Sequence, residues 1–166
     1  MQSRKMTIFL FSIYLLFLTW IILFKLDIFS TLQMTYYYNS VGPSMNLIPF
    51  AGTAVYDGIF DYQEIGLNIL CFIPFGIYIE MLDRKATWVK NLTVILTVSL
   101  AYEAVQYIFQ IGVADITDLL ANGFGGAIGI NIMYVLTSVW QEKAYERVNR
   151  IALLLTIVVA SLLLLI

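Results

Sequence analysis

Five apolar runs divide the chain, and their lengths suit one solvent, the hydrocarbon core of a bilayer. A spanning helix needs roughly 20 mostly apolar residues. Residues 6–24, 92–111 and 119–140 meet that length. Residues 65–82 do so as well, although Asn68, Pro74 and Glu80 interrupt them. The last run, 151–166, is shorter and extends back to Val148. The first run is too long for a signal peptide, and no small-residue cleavage site follows Phe24. It reads as a retained anchor. Hydrophobic residues make up 61% of the chain and charged residues 12%, against about 25% charged in a soluble domain. The sequence therefore predicts an all-α, polytopic transmembrane bundle of about five spans. The helices are 6–24, 65–82, 92–111, 119–140 and 148–166, in a single domain covering 1–166.

Charge sets the expected orientation. Arg4, Lys5, Arg84, Lys85, Lys90, Lys143, Arg147 and Arg150 fall on one side of five spans, and only Lys25 falls on the other. Basic loops stay in the cytoplasm, so the N-terminus is expected inside and the C-terminus outside. The outer side then holds Asp27, Asp57, Asp61, Glu64, Asp115 and Asp118. That acidic face attracts cations and cationic ligands at low salt. A long outer loop runs over 25–64. Tyr36, Tyr37 and Tyr38 in it suit the membrane interface. Asp57-Gly58 and Asp61 suggest turns.

Several chemistries are excluded. The chain has no histidine, so histidine-based nucleophile activation and histidine metal ligation are absent. Its single cysteine, Cys71, cannot form an intrachain disulfide and reads as a packing residue. There is no Gly-rich phosphate loop outside a span and no basic aromatic stripe for nucleic acid. No cofactor is implied.

Polar residues within the spans carry the remaining information, because they are costly in lipid and mark a functional interior by default. Ser99, Glu103, Gln106 and Gln110 are spaced 4, 3 and 4 apart, which puts them on one helical face. Glu103 lies ~16 Å into a ~30 Å core, near the midplane. Asp115, Asp118, Asn122, Gly125 and Gly129 repeat the pattern with spacings of 3, 4, 3 and 4. Orientation brings Glu64 and Asn68 to the same outer half. The expectation is a polar cleft open to the outside that gathers Glu64, Asn68, Gln106, Gln110, Asp115, Asp118 and Asn122, with Glu103 at its floor. Structural alternatives stand beside each assignment. Asp115 is equally an N-cap. Gly125, Gly126 and Gly129 suit close helix packing, within the chain or in a homo-oligomer. Asn122 and Gln106 are candidates for interhelical hydrogen bonds, and Pro74 for a structural kink.

These same residues resemble the VanZ-like family. The matching stretches are Asn46-Leu47-Ile48-Pro49-Phe50, Asn68 with Phe72-Ile73-Pro74-Phe75-Gly76, and Glu103-Ala104-Val105-Gln106. They continue with Ile111-Gly112-Val113-Ala114-Asp115-Ile116-Thr117-Asp118, then Asn122, Gly125, Gly126 and Gly129. Many relatives carry an arginine shortly before the aspartate pair, and this chain has none between Lys90 and Lys143. The resemblance implies a protein of the bacterial plasma membrane that lowers susceptibility to teicoplanin, a lipid-tailed glycopeptide acting outside the cell. Partners in that reading are the bilayer and either the lipoglycopeptide or a lipid-linked wall precursor. An intramembrane acid-only enzyme is a second reading. There Glu103 acts as general base, and Asp115 and Asp118 hold a divalent cation through oxygen. A flippase or transporter is a third.

Overall fold

The computed structural model describes residues 2–24, 44–50, 55–56, 59–60 and 62–163. Five long helices carry the fold among these residues: α1 (Gln2–Phe24), α2 (Tyr62–Leu82), α3 (Trp88–Phe109), α4 (Ile116–Trp140) and α5 (Ala144–Leu163). Four two-residue strands accompany them. β1 (Met45–Asn46) pairs in parallel with β4 (Ala114–Asp115), and β2 (Val55–Tyr56) pairs antiparallel with β3 (Ile59–Phe60). Lys25, Asp27, Tyr36, Tyr37, Tyr38, Asp57, Gly58 and Asp61 of the expected outer loop lie outside the described residues.

Among the described residues four helical stretches are long and apolar enough to cross a membrane, the last being the 47-residue Ile116–Leu162. The chain is accordingly a multi-pass membrane protein. The 47-residue stretch is two helices. Gln141 takes φ 49° and ψ −131° and breaks the ladder, and the 3-10 turn Gln141–Lys143 leads into α5.

The helices begin earlier than the apolar runs, because a helix continues through the polar turns that flank its lipid-facing part. α3 starts at Trp88 rather than 92, where the Thr87 side chain accepts from the Lys90 amide at 3.2 Å. α4 starts at Ile116 rather than 119, capped by Asp115. α5 starts at Ala144 rather than 148, and its first turn buries Ala144, Tyr145 and Val148. α3 ends at Phe109, two residues before Ile111, because Gln110 turns left-handed with φ 54°.

Contacts along the helices show that each runs opposite to the one before. Ser99 meets Asn122 while Ile95 lies against Gly126, so α3 and α4 are antiparallel. Ile69 meets Gly125 and Ile73 meets Gly129, so α2 and α4 are parallel. Thr19 with Tyr102 and Ile22 with Gln106 make α1 parallel to α3. Thr7 with Asn149 aligns α5 with α1. One end of the bundle therefore collects all eight described basic residues: those of the α1 start, the α2–α3 link, the first turn of α3, the α4–α5 link and the first two turns of α5. Arg84 lies 3.4 Å from the Tyr145 ring centre, tying two of those segments together. Lys90 holds the exposed Asp83 carboxyl below its ordinary range through a 2.8 Å hydrogen bond and its charge. Buried Glu80 accepts from Asn91 at 2.6 Å near this end.

Small residues set the α2–α4 distance. A Cβ on Gly125 or Gly129 would fall on the carbonyls of Ile69 or Ile73, and one on Gly76 would fall on that of Gly126. The Gly126 position faces Ile95. The face that the sequence left open to a second copy is thus covered within the chain by α2 and α3. Phe72, Phe75, Ile95 and Ile130 fill the space beside it with Leu18 and Ile22 of α1. Gly129→Ala should cost about 1–3 kcal/mol through overpacking. Gly66, with nothing within 4 Å, should tolerate alanine or gain stability. Thermal unfolding of the two detergent-purified variants distinguishes them; equal midpoints would contradict the close α2–α4 contact.

Candidate functional site

The end away from the basic residues holds two cavities. The polar cleft, about 380 Å³, lies where four helices converge. α1 supplies Ile21 and Ile22; α2 supplies Gln63, Glu64, Leu67, Asn68 and Cys71; α3 supplies Glu103 and Gln106; α4 supplies Asp118 and Asn122. The groove beside it, about 270 Å³, is lined mainly by apolar residues, among them Leu100, Ala104, Ile108, Leu119, Met45 and Leu47. Glu103 lines both.

The α3 stripe arises from helical periodicity. Ser99, Glu103 and Gln106 are 0%, 5% and 3% exposed. Each is held. Ser99 accepts from the Asn122 amide nitrogen at 2.9 Å. Gln106 Nε2 donates to the Ile22 carbonyl at 3.0 Å. Glu103 Oε2 accepts from the Asp115 backbone N–H at 2.7 Å. Among the described residues the oxygens Gln106 Oε1 and Asn122 Oδ1 are buried without a hydrogen-bonding partner, an arrangement that native structures rarely leave unexplained.

Gln110 departs from the stripe. It sits at the left-handed C-cap of α3, where the 3.6-residue period ends, and it is not among the residues lining the cleft. Its Oε1 is also buried without a partner. Asp115 differs from expectation too. Instead of lining the cleft, it is brought beside Glu103 on the groove side, because the chain after Gln110 folds back through residues 111–113 into β4. Ala114 N–H donates to the Ser44 carbonyl at 3.2 Å, and β1 and β4 pair Met45 with Ala114 and Asn46 with Asp115. Asp115 Oδ1 caps α4 by accepting from Thr117 N–H at 2.7 Å. Its Oδ2 accepts from Asn46 Nδ2 at 3.0 Å. Asp115 therefore belongs to the groove wall and Asp118 to the cleft. Among the described residues no three Asp, Glu, Cys or His side chains come together as a metal-binding set. Pro74 lies inside α2, where Tyr14 donates to the nearby Cys71 carbonyl.

Sequence reasoning missed the role of the 46–50 segment. Asn46 Oδ1 accepts from Ile48 N–H at 3.1 Å in an Asx turn, and Phe50 N–H donates to Thr117 Oγ1 at 3.0 Å. The signal was local: an Asn two residues before Ile48, with Pro49 following. Its partners are almost 70 residues away in sequence, beyond the reach of any spacing rule.

Residues 11–138 match the VanZ/LLP1 family. The chain belongs to that family. It is 32% identical to Protein VanZ of Enterococcus faecium over 139 residues, covering 84% of this chain and 80% of that protein. No solved structure matches the chain. The Asn46–Phe50 turn, the Glu103 stripe and the Asp115–Asn122 segment all fall within the matched region.

Asp115 has two separable duties here, a cap and an anchor. Asp115→Asn should keep the cap, since Asn is an equally good N-cap, but should set two amide nitrogens face to face at Asn46. Asp115→Ala should lose both duties and about 1–2 kcal/mol. Hydrogen exchange across 44–50 should accelerate in both variants, and exchange in the first turn of α4 only in the alanine variant. Unchanged exchange at 44–50 would contradict the anchor.

Proposed function

We propose that this chain lowers susceptibility to teicoplanin-type lipoglycopeptides at the outer face of a bacterial plasma membrane. Its polar cleft would act there on the drug or on cell-envelope intermediates. In this reading the five helices are five spans, with the N-terminus inside and the C-terminus outside. The observation that carries the orientation is the separation of charge. Eight basic residues cluster at one end of the bundle, and basic segments stay in the cytoplasm. The cleft with Glu64, Glu103 and Asp118 opens at the other end, the side on which a drug acting outside the cell is met. Family membership and the likeness to Protein VanZ support the resistance role.

Glu103 is the proposed centre, with Asn68, Gln106, Asp118 and Asn122 around it. A glutamine at 103 still accepts the Asp115 amide but has no acid group. In a susceptible bacterium the natural chain should raise resistance to teicoplanin selectively over vancomycin. Glu103→Gln should abolish that protection at normal membrane abundance. Full protection by the glutamine variant would assign Glu103 to packing alone. Equal shifts for both drugs would point to a general envelope effect.

Orientation is checked separately in a Cys71→Ala background. A cysteine at the exposed Tyr62 position should react with an impermeant maleimide on intact cells. Cysteines at Lys85 or Lys143 should not react. The reverse pattern would place the cleft inside.

A further inference from the structure

We infer that the outer end of the bundle holds an acyl-chain amphiphile astride Glu103, with its tail in the apolar groove and a protonated amine head in the polar cleft. This deepens the outer-cleft reading above and rests on it.

The groove accounts for the tail. Leu100, Ile108 and Leu47 on its walls are 58%, 68% and 69% exposed. In a membrane-spanning bundle such apolar exposure is to lipid, so the groove opens sideways and its occupant arrives within the leaflet. Its two acidic residues are engaged locally: Glu103 Oε2 takes the Asp115 amide, and the Asp115 oxygens take the Thr117 amide and the Asn46 side chain. At about 270 Å³ the groove lies just below the roughly 300–1,000 Å³ of drug-sized pockets, which suits a single flexible chain.

The cleft accounts for the head. Its described lining holds three carboxyl groups, from Glu64, Glu103 and Asp118, and no lysine or arginine. Gln106 Oε1 and Asn122 Oδ1 belong to side chains more than nine-tenths buried, and neither oxygen has a partner among the described residues. The Gln106 nitrogen is committed to the Ile22 carbonyl, which can only accept, and the Asn122 nitrogen donates to Ser99. The unmet capacity fixed by the carbonyl, at Gln106 Oε1, is therefore for a donor. An ammonium group brings three N–H donors and a positive charge. An anionic head would bring negative charge to a lining that holds three carboxyl groups and no lysine or arginine among its described residues. Glu103, shared by both cavities, sets the junction between tail and head.

The test uses the full chain in phosphatidylcholine nanodiscs with two photoreactive probes of equal tail length, a diazirine-bearing hexadecylamine and the matching hexadecanoic acid. The amine should label the groove segment 100–108 at least tenfold more than the acid at equal membrane concentration. Unlabelled hexadecylamine should compete. Ala104→Trp, which fills the groove, should reduce amine labelling at least tenfold, and the milder Ala104→Leu should reduce it partially. Asn68→Lys, which places a cation in the cleft, should weaken amine labelling and leave the groove open. Equal labelling by acid and amine would overturn the head assignment. Labelling unaffected by competitor or by both Ala104 variants would reduce the groove to ordinary lipid contact. Selective labelling with no teicoplanin protection by the natural chain would uphold the amphiphile site and remove the resistance reading. Unselective labelling with protection lost in Glu103→Gln would do the reverse.

Discussion

The hydrogen bond from the Asp115 amide to Glu103 Oε2, 2.7 Å long and buried, ties the outer end of the bundle together. In an apolar interior an amide without a partner costs several kcal/mol. The chain entering α4 is not yet helical at Asp115, so its N–H needs a partner from elsewhere. Glu103 supplies it. With that amide secured, β4 can lie alongside β1, Asp115 can cap α4, and Asn46 can hold the 46–50 turn against Thr117. The same carboxyl forms part of the wall of both cavities. A carboxyl oxygen accepts this amide whether or not it carries the proton on its other oxygen, which suits an acid to this place even before any functional role is assigned.

How much of this was legible depended on the range of each interaction. Ser99, Glu103 and Gln106 were readable because one helix period puts them on one face, and all three are buried there. Gln110 misled for the same reason, since extrapolating the period assumes the helix continues, and it stops one residue earlier. Gly125 and Gly129 were legible as close-contact positions, but their partner was not. Only the folded chain shows that α2 fills that face and that Gly76 completes the contact from the other side. The fold-back after Gln110 was hidden because it depends on Ser44, Met45 and Asn46, which no local pattern links to residues 114 and 115. The apolar groove was hidden for another reason: its walls use the same leucines and isoleucines that face lipid elsewhere.

The two ends of the bundle use polar groups differently. At the basic end the described polar pairs close on themselves. Thr7 and Asn149 exchange hydrogen bonds, Glu80 takes the Asn91 amide, and Arg84 stacks on Tyr145. Ile95, fully buried against Gly126, separates that end from the Ser99–Asn122 pair on the same face of α3. The polar interior is thus discontinuous along α3.

Above Ile95 the arrangement changes in kind. Asn122 and Gln106 each spend a nitrogen on packing, to Ser99 and to the Ile22 carbonyl. The Ile22 carbonyl, which can only accept, chooses which way the Gln106 amide points, whereas the Ser99 hydroxyl can accept from or donate to Asn122. The oxygens are left without partners among the described residues. In the proposed site, packing and recognition fall to the same two side chains, through different atoms. A substitution that removes the whole side chain, such as Asn122→Ala, cannot separate these roles. Asn122→Asp keeps the shape and an oxygen toward Ser99, whose hydroxyl can turn to donate. It also leaves an acid where a neutral acceptor had been. An amine-bearing ligand would gain from that exchange, while packing alone would not, since packing had no use for the second oxygen.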